Sequence, residues 1–169
     1  MLERTYNIVI FGATGYTGHY AIREAVKLLK NYRWAVAGRN KEKLEKSLAE
    51  VGKKIHQDLS NIPIIVADIN DEKSLIDMTR QAQVLVNCCG PYRFLGEPVV
   101  KACIETSTNH VDVSGEPQYM ETILYKYNDA AKEKGIYIIS ACGFDSIPSD
   151  MGVVYLQKKF EGTVNTIET

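Results

Sequence analysis

The apolar run Tyr6-Asn7-Ile8-Val9-Ile10-Phe11 breaks into Gly12-Ala13-Thr14-Gly15-Tyr16-Thr17-Gly18 and then into a helical pattern from Tyr20 to Lys30. A strand, a glycine turn and a helix start in that order constrain the fold more than any other stretch of the chain. Three glycines let backbone N–H groups approach a diphosphate, with the partial positive end of the following helix aimed at it. Glycine-rich loops also serve as plain tight turns, so the setting decides. This loop forms the first strand-to-helix junction, and a second apolar strand, Trp34-Ala35-Val36-Ala37, follows about twenty residues on. Gly12, Ala13, Thr14, Gly15, Tyr16, Thr17 and Gly18 are therefore expected to bind a dinucleotide.

The remaining chain keeps alternating. Ile62 to Ala67, Val84 to Cys88, His110 to Val113 and Ile136 to Ala141 read as strands; Glu72 to Arg80, Pro98 to Glu105, Gln118 to Lys134 and Ser149 to Phe160 read as helices. Asn40 is placed to cap a helix beginning at Lys41, Asn70 or Asp71 one beginning at Glu72, and Gly135 to end the long one. Continuously apolar strands mark a parallel sheet covered on both faces, and right-handed crossovers then give an α/β, doubly wound Rossmann-type fold. Lys53 to Asn61 reads as a polar loop, and Thr163 to Thr169 as the beginning of a further strand. The expected division is a dinucleotide-binding domain over 1–160, with 161–169 opening a second domain.

At 169 residues and 45% hydrophobic content the chain can build one full core. Twenty basic against 21 acidic residues leave a net charge of -1, so no general attraction to nucleic acid or an anionic membrane follows. The sequence reads from Met1 into a strand without a basic-then-apolar leader and shows no apolar stretch of bilayer length, so a soluble chain is expected. The four cysteines show no metal-ligand spacing, which fits reduced thiols in an intracellular compartment.

The end of the second strand selects the dinucleotide. An acid there would accept from the ribose hydroxyls of NAD, whereas this chain has Gly38-Arg39-Asn40. Arg39 offers a planar charged fork for the 2′-phosphate of NADP, and Asn40 adds an amide donor; NADP is expected, with NAD as the alternative. Asp68, ending the third strand, can accept from the adenine amino group or cap the next helix. After the fourth strand, Cys89, Gly90, Pro91 and Tyr92 are placed to line the nicotinamide ribose. Tyr92, His110, Asp112 and Asp145 are expected to form an exposed edge, with Tyr92, Asp112 and Asp145 the candidates for orienting substrate or moving a proton. Tyr155 and Lys159 have the Tyr-x-x-x-Lys spacing of short-chain reductases, a spacing that chance also supplies on helices.

Taken in order, Gly12 to Gly18, Ala37-Gly38-Arg39, Asn87-Cys88-Cys89-Gly90-Pro91-Tyr92, Asp112-Val113-Ser114-Gly115-Glu116 and Gly143-Phe144-Asp145-Ser146-Ile147-Pro148-Ser149-Asp150 resemble the saccharopine dehydrogenase-like oxidoreductases. The last motif is shared with the trans-acting enoyl reductases of that superfamily. The resemblance implies an NADP- or NAD-linked oxidoreductase, and hydride transfer between NADP(H) and a small-molecule substrate that the sequence does not identify, a lipid-like one among the candidates, is expected. It further implies a second substrate and dimerisation domain, a homodimer, and an association with lipid droplets or other membranes made through that second part. Two other readings stand beside it: a non-catalytic NADP(H) sensor or scaffold, and a short-chain reductase complete in one domain.

Overall fold

A computed structural model of the chain describes residues 4–168. Strands β1 (Tyr6–Phe11), β2 (Trp34–Gly38), β3 (Ile64–Val66), β4 (Ala82–Asn87), β5 (Asn109–Asp112) and β6 (Ile138–Ile139) form one sheet in the order β3-β2-β1-β4-β5-β6. Every neighbouring pair is parallel. The crossovers are α1 (Tyr16–Leu28), α2 (Lys41–Ile55), α3 (Glu72–Thr79), α4 (Tyr92–Thr106) and α5 (Pro117–Lys134), and α6 (Ile147–Lys159) follows β6. Strand order reverses between β1 and β4, which opens a crevice at their carboxyl ends. This is the doubly wound fold that the continuous apolar strands predict.

The strands bury both faces. Val9 and Phe11 pack with Leu75, Met78, Val99 and Cys103 of α3 and α4, while Ile10 packs with Ile22, Leu44 and Leu48 of α1 and α2. Tyr92, Val100, Tyr119 and Ile123 form a third cluster that ties α4 to α5. Each large side chain fully withdrawn from water contributes about 1.5–3 kcal/mol, so these layers dominate the stability of the sheet. Arg4 adds a clasp at the opposite end of the sheet from the crevice: its guanidinium donates to the carbonyl oxygens of Arg80, Thr106 and Ser107, covering the C-terminal ends of α3 and α4.

Several boundaries differ from the sequence reading. The first helix starts at Tyr16 rather than Tyr20, directly on the glycine loop. The fourth starts at Tyr92 rather than Pro98, which lies inside it, so Tyr92 belongs to a helix and not to a loop. The second helix runs to Ile55 and ends in His56 at φ 55°, taking the first part of the expected polar loop. Of the run Ile136 to Ala141 only Ile138–Ile139 pairs as strand. Its flanks bond to side chains of β5 instead: Tyr137 N–H donates to Asn109 Oδ1 at 2.9 Å and Ser140 Oγ to Asp112 Oδ2 at 3.0 Å. Residues 163–168 join no strand, and Thr169 lies outside the described residues. Val164 and Ile167 instead line a groove with Leu156 and Phe160 at the end of α6. None of the described helices is long and apolar enough to cross a membrane.

Candidate dinucleotide site

A cleft of about 320 Å³ lies at the carboxyl ends of β1, β2, β3 and β4. It gathers Gly12, Thr14 and Gly15 from the glycine loop, Gly38 and Arg39 from the end of β2, Asp68 and Asn70 after β3, and Cys88, Cys89 and Gly90 after β4. The three glycines divide the work. Gly12 has φ +83°, and a Cβ there would stand 2.7 Å from Cys89 Sγ and 2.9 Å from the Cys88 carbonyl carbon. A Cβ on Gly18 would stand 2.4 Å from the Gly12 carbonyl oxygen, so this glycine lets α1 close onto the loop. At Gly15 a Cβ meets only that same oxygen, at 3.4 Å. Gly12 and Gly18 are therefore demanded by the fold, whereas at Gly15 the fold asks for little and the ligand side of the loop stays open.

Backbone donors sort in the same way. Gly12 N–H and Ala13 N–H are spent on the Ala37 carbonyl at 3.0 and 3.3 Å, and Gly15 N–H on the Gly12 carbonyl at 3.1 Å. Helices α2 and α3 begin on side-chain acceptors, Asn40 and Asp71. Helix α1 begins at Tyr16 with no side-chain cap, so its first N–H groups, which have no intrahelical acceptor, remain for an anion. Arg39 is exposed and forms no ion pair among the described residues. Asn40 Oδ1 accepts from Lys43 N–H at 2.9 Å, leaving only its amide donors free. Asp68 Oδ1 accepts from Asn70 N–H at 2.9 Å; Asp71, not Asp68, caps α3.

Other predicted residues fall elsewhere. Ala13 and Gly18 are buried beneath the loop, while Tyr16 is 80% exposed and packs tilted against Tyr20 with ring centres 5.0 Å apart. Thr17 is exposed beyond the cleft's lining, and Pro91 is the exposed residue that precedes α4. The exposed edge expected from Tyr92, His110, Asp112 and Asp145 is not there: the first three are 6%, 0% and 1% exposed, and only Asp145 reaches solvent. Tyr92 hydroxyl donates to the Asn87 carbonyl at 2.9 Å, and burial holds its pKa above the ordinary tyrosine value. Asp112 accepts from Ser114 N–H, Tyr119 hydroxyl and Ser140 hydroxyl, each at 3.0 Å, and from Ala141 N–H at 3.3 Å. It knots the ends of β5, α5 and β6 together below the surface. Polar groups at the ends of these buried strands satisfy one another before they meet solvent, which is why no such edge forms. Tyr155 is 62% exposed on α6, with Lys159 Nζ 5.9 Å above its ring rather than at its hydroxyl.

Burial pushes the Cys88 thiol up to about 11 and that of Cys89 up to about 12, so both stay protonated at neutral pH and line the cleft as small apolar groups. His110 is wholly enclosed, its Nε2 3.4 Å from Asn87 Nδ2, and burial lowers its pKa to about 4 against the opposing pull of Asp112. In the unfolded chain this imidazole takes a proton near pH 6.5, while the folded chain resists it until about 4. Protonation thus favours unfolding. Stability is expected to be full above pH 6.5 and to fall by on the order of 2–3 kcal/mol between there and pH 4. Urea unfolding at pH 7 and pH 5 checks this, and a His110→Gln variant should show a flatter profile.

Sequence reasoning gave Tyr119 no role and named Asn87, Ser114 and Glu116 only as members of motifs, not as the groups that fix the loops around the cleft. Their partners lie two to 24 residues away, as in Cys89 N–H to Asn87 Oδ1 at 3.0 Å and Tyr92 N–H to Glu116 Oε1 at 2.7 Å. Asn87 carried a signal of its own, a polar residue closing an apolar strand.

A glycine loop at a switch point, with an uncapped helix start and an unpaired arginine at the β2 end, defines a dinucleotide-binding Rossmann domain. Residues 8–139 match the saccharopine dehydrogenase NADP-binding domain, and the chain belongs to this family. Over 166 residues it is 47% identical to a Caenorhabditis elegans lipid droplet localized protein, covering 97% of this chain and 39% of the relative. Over 175 residues it is 45% identical to a saccharopine dehydrogenase-like oxidoreductase of Bos taurus, covering 99% and 41%. The chain thus spans about two-fifths of the length of these relatives. Its fold is also that of apo saccharopine dehydrogenase (L-Glu forming) from Saccharomyces cerevisiae, with a TM-score of 0.67 at 21% identity over 90% of this chain and 31% of that one. The cofactor of the domain is NADP.

Proposed function

We propose that the chain is the NADP(H)-holding half of an oxidoreductase, which presents the nicotinamide to a substrate carried by a further domain. The observation that carries this reading is the meeting of the open Gly15, the bare start of α1 and the unpaired Arg39 around one cleft. Diphosphate sits over Gly15 and α1, the adenosine 2′-phosphate against Arg39, and adenine near Asp68. Cys89 and Gly90 line the nicotinamide half. Residues 1–160 form the cofactor domain, and 161 onward leads into the substrate and dimerisation domain of a homodimer.

The substrate is lipid-like and the working place a lipid surface; the name of the nematode relative, to which the chain is 47% identical over 166 residues, supports the place. Hydride transfer needs substrate held about 3–3.5 Å from the nicotinamide in a water-poor site, which one open wall cannot provide. Tyr92 and Asp112, enclosed and bonded, are poor proton donors for that step, so the proton comes from the other domain or from solvent. The 169-residue chain is therefore expected to bind NADPH in calorimetry and to oxidise none of it with enoyl or carbonyl lipids, while the full-length protein turns over. Equal turnover by the short chain overturns the two-wall reading. Binding without turnover by the full-length protein points instead to a sensor.

A further inference from the structure

We infer that Glu116 is a positioning residue of the cleft, whose carboxylate holds the Cys89-Gly90-Pro91 loop in the place that the nicotinamide half of the cofactor requires. The inference rests on the reading of the cleft as an NADP(H) site.

Glu116 lies in the connection from β5 to α5, yet its side chain serves a different helix. Oε1 accepts from Tyr92 N–H at 2.7 Å and Oε2 from Arg93 N–H at 3.0 Å, so one carboxylate closes the start of the 15-residue α4. A negative charge there also meets the positive end of the helix, and charge-assisted bonds of this kind are the stronger ones. The contrast with α1 is direct: α1 leaves its first N–H groups for a ligand, while α4 has them filled from within.

The carboxylate is itself held. Glu116 N–H donates to Ser114 Oγ at 3.1 Å, and Ser114 N–H to Asp112 Oδ1 at 3.0 Å, where Asp112 is the buried knot at the end of β5. A chain of hydrogen bonds therefore runs from the sheet interior to the first residues of α4. At the other end of the loop, Asn87 Oδ1 takes Cys89 N–H at 3.0 Å and the Asn87 carbonyl takes the Tyr92 hydroxyl at 2.9 Å. Between these anchors stand Cys89 and Gly90, two residues that line the cleft.

Topology decides which half of the cofactor feels the loop. With the 2′-phosphate at Arg39 after β2 and the diphosphate over Gly15 after β1, the other mononucleotide crosses the switch point to the end of β4. Glu116 thus acts on the nicotinamide half and not on the adenosine half.

The test titrates the 169-residue chain with NADPH and with 2′,5′-ADP, which is the adenosine half alone, and follows thermal melting alongside. Glu116→Ala is expected to weaken NADPH by on the order of tenfold, through the lost preorganisation of the loop, and 2′,5′-ADP by less than about twofold. Glu116→Gln keeps one acceptor for the α4 donors and should restore part of the difference; it carries the same comparison if the alanine variant does not fold. Equal weakening of both ligands overturns the inference, because a general structural role would act on both, and so does no weakening of either. Failure of the unaltered chain to bind either ligand overturns the underlying cofactor reading instead.

Discussion

A valine at Gly15 is expected to abolish NADP(H) binding in a chain that still folds, whereas a valine at Gly12 or Gly18 is expected to remove the fold. The three glycines look equivalent in the sequence, and the structure separates them. Gly15 precedes α1 with φ -85° and ψ 171°, backbone that any residue adopts. Its Cβ would touch only the Gly12 carbonyl oxygen, at 3.4 Å, so the cost to folding is about 1 kcal/mol, the loss of a favoured cap residue. The branched side chain would nevertheless stand where a diphosphate must approach the first N–H groups of α1. Losing two such charge-assisted bonds, at about 1.5–3 kcal/mol each, weakens binding by more than 100-fold.

At Gly12 the arithmetic reverses. A side chain at φ +83° is strained by about 1–3 kcal/mol, and its Cβ would lie 2.9 Å from the Cys88 carbonyl carbon, which is backbone and cannot swing away. At Gly18 the nearest obstacle is again backbone, 2.4 Å away. Each substitution costs about 4 kcal/mol or more, a large part of the stability of a domain this size. Calorimetric titration and thermal melting of the three variants distinguish the roles, and unchanged NADPH affinity in Gly15→Val would remove the glycine loop from the site.

The features legible in the sequence are those whose cause is local. Gly12 to Gly18, Asn40 before α2 and Arg39 after β2 are each read from a few neighbouring residues, and the cleft brings Gly12, Thr14, Gly15, Arg39, Asp68, Cys89 and Gly90 together. The hidden features depend on partners far along the chain. Glu116 reads as an acid before a helix, and nothing near it announces that its carboxylate serves Tyr92 and Arg93, 24 and 23 residues away. Asp112 and Tyr92 have the composition of an active-site edge, but their polar atoms turn inward. Pro98 misled in a different manner, because a proline ahead of an apolar run is the usual sign of a helix start and here sits inside a helix already begun. The run 163–168 is rich in β-branched residues, which suit a strand, but it pairs with no strand among the described residues, and a strand exists only as part of a sheet.

Arg39 carries the second large effect: Arg39→Asp is expected to weaken NADPH about 10- to 150-fold more than NADH, the range of one lost charge-assisted contact of about 1.5–3 kcal/mol. The position is built for discrimination. Gly38 ends β2 buried against Leu44, with room for a Cβ only at 3.4 Å from that side chain, so the chain leaves the sheet rigidly and Arg39 is the first residue free in solvent. Asn40 then commits its acceptor to Lys43 N–H and starts α2, so the positive end of that helix begins beside Arg39 in the chain. No ion pair among the described residues competes for the guanidinium. An aspartate there would repel the 2′-phosphate and accept from the ribose hydroxyls of NADH, moving the two affinities in opposite directions. Fluorescence titration of both nucleotides against both proteins measures the ratio directly. A ratio that does not move would mean that the 2′-phosphate is held elsewhere, and raising the salt concentration should narrow the difference in the unaltered chain, because Arg39 is exposed and its field is screened.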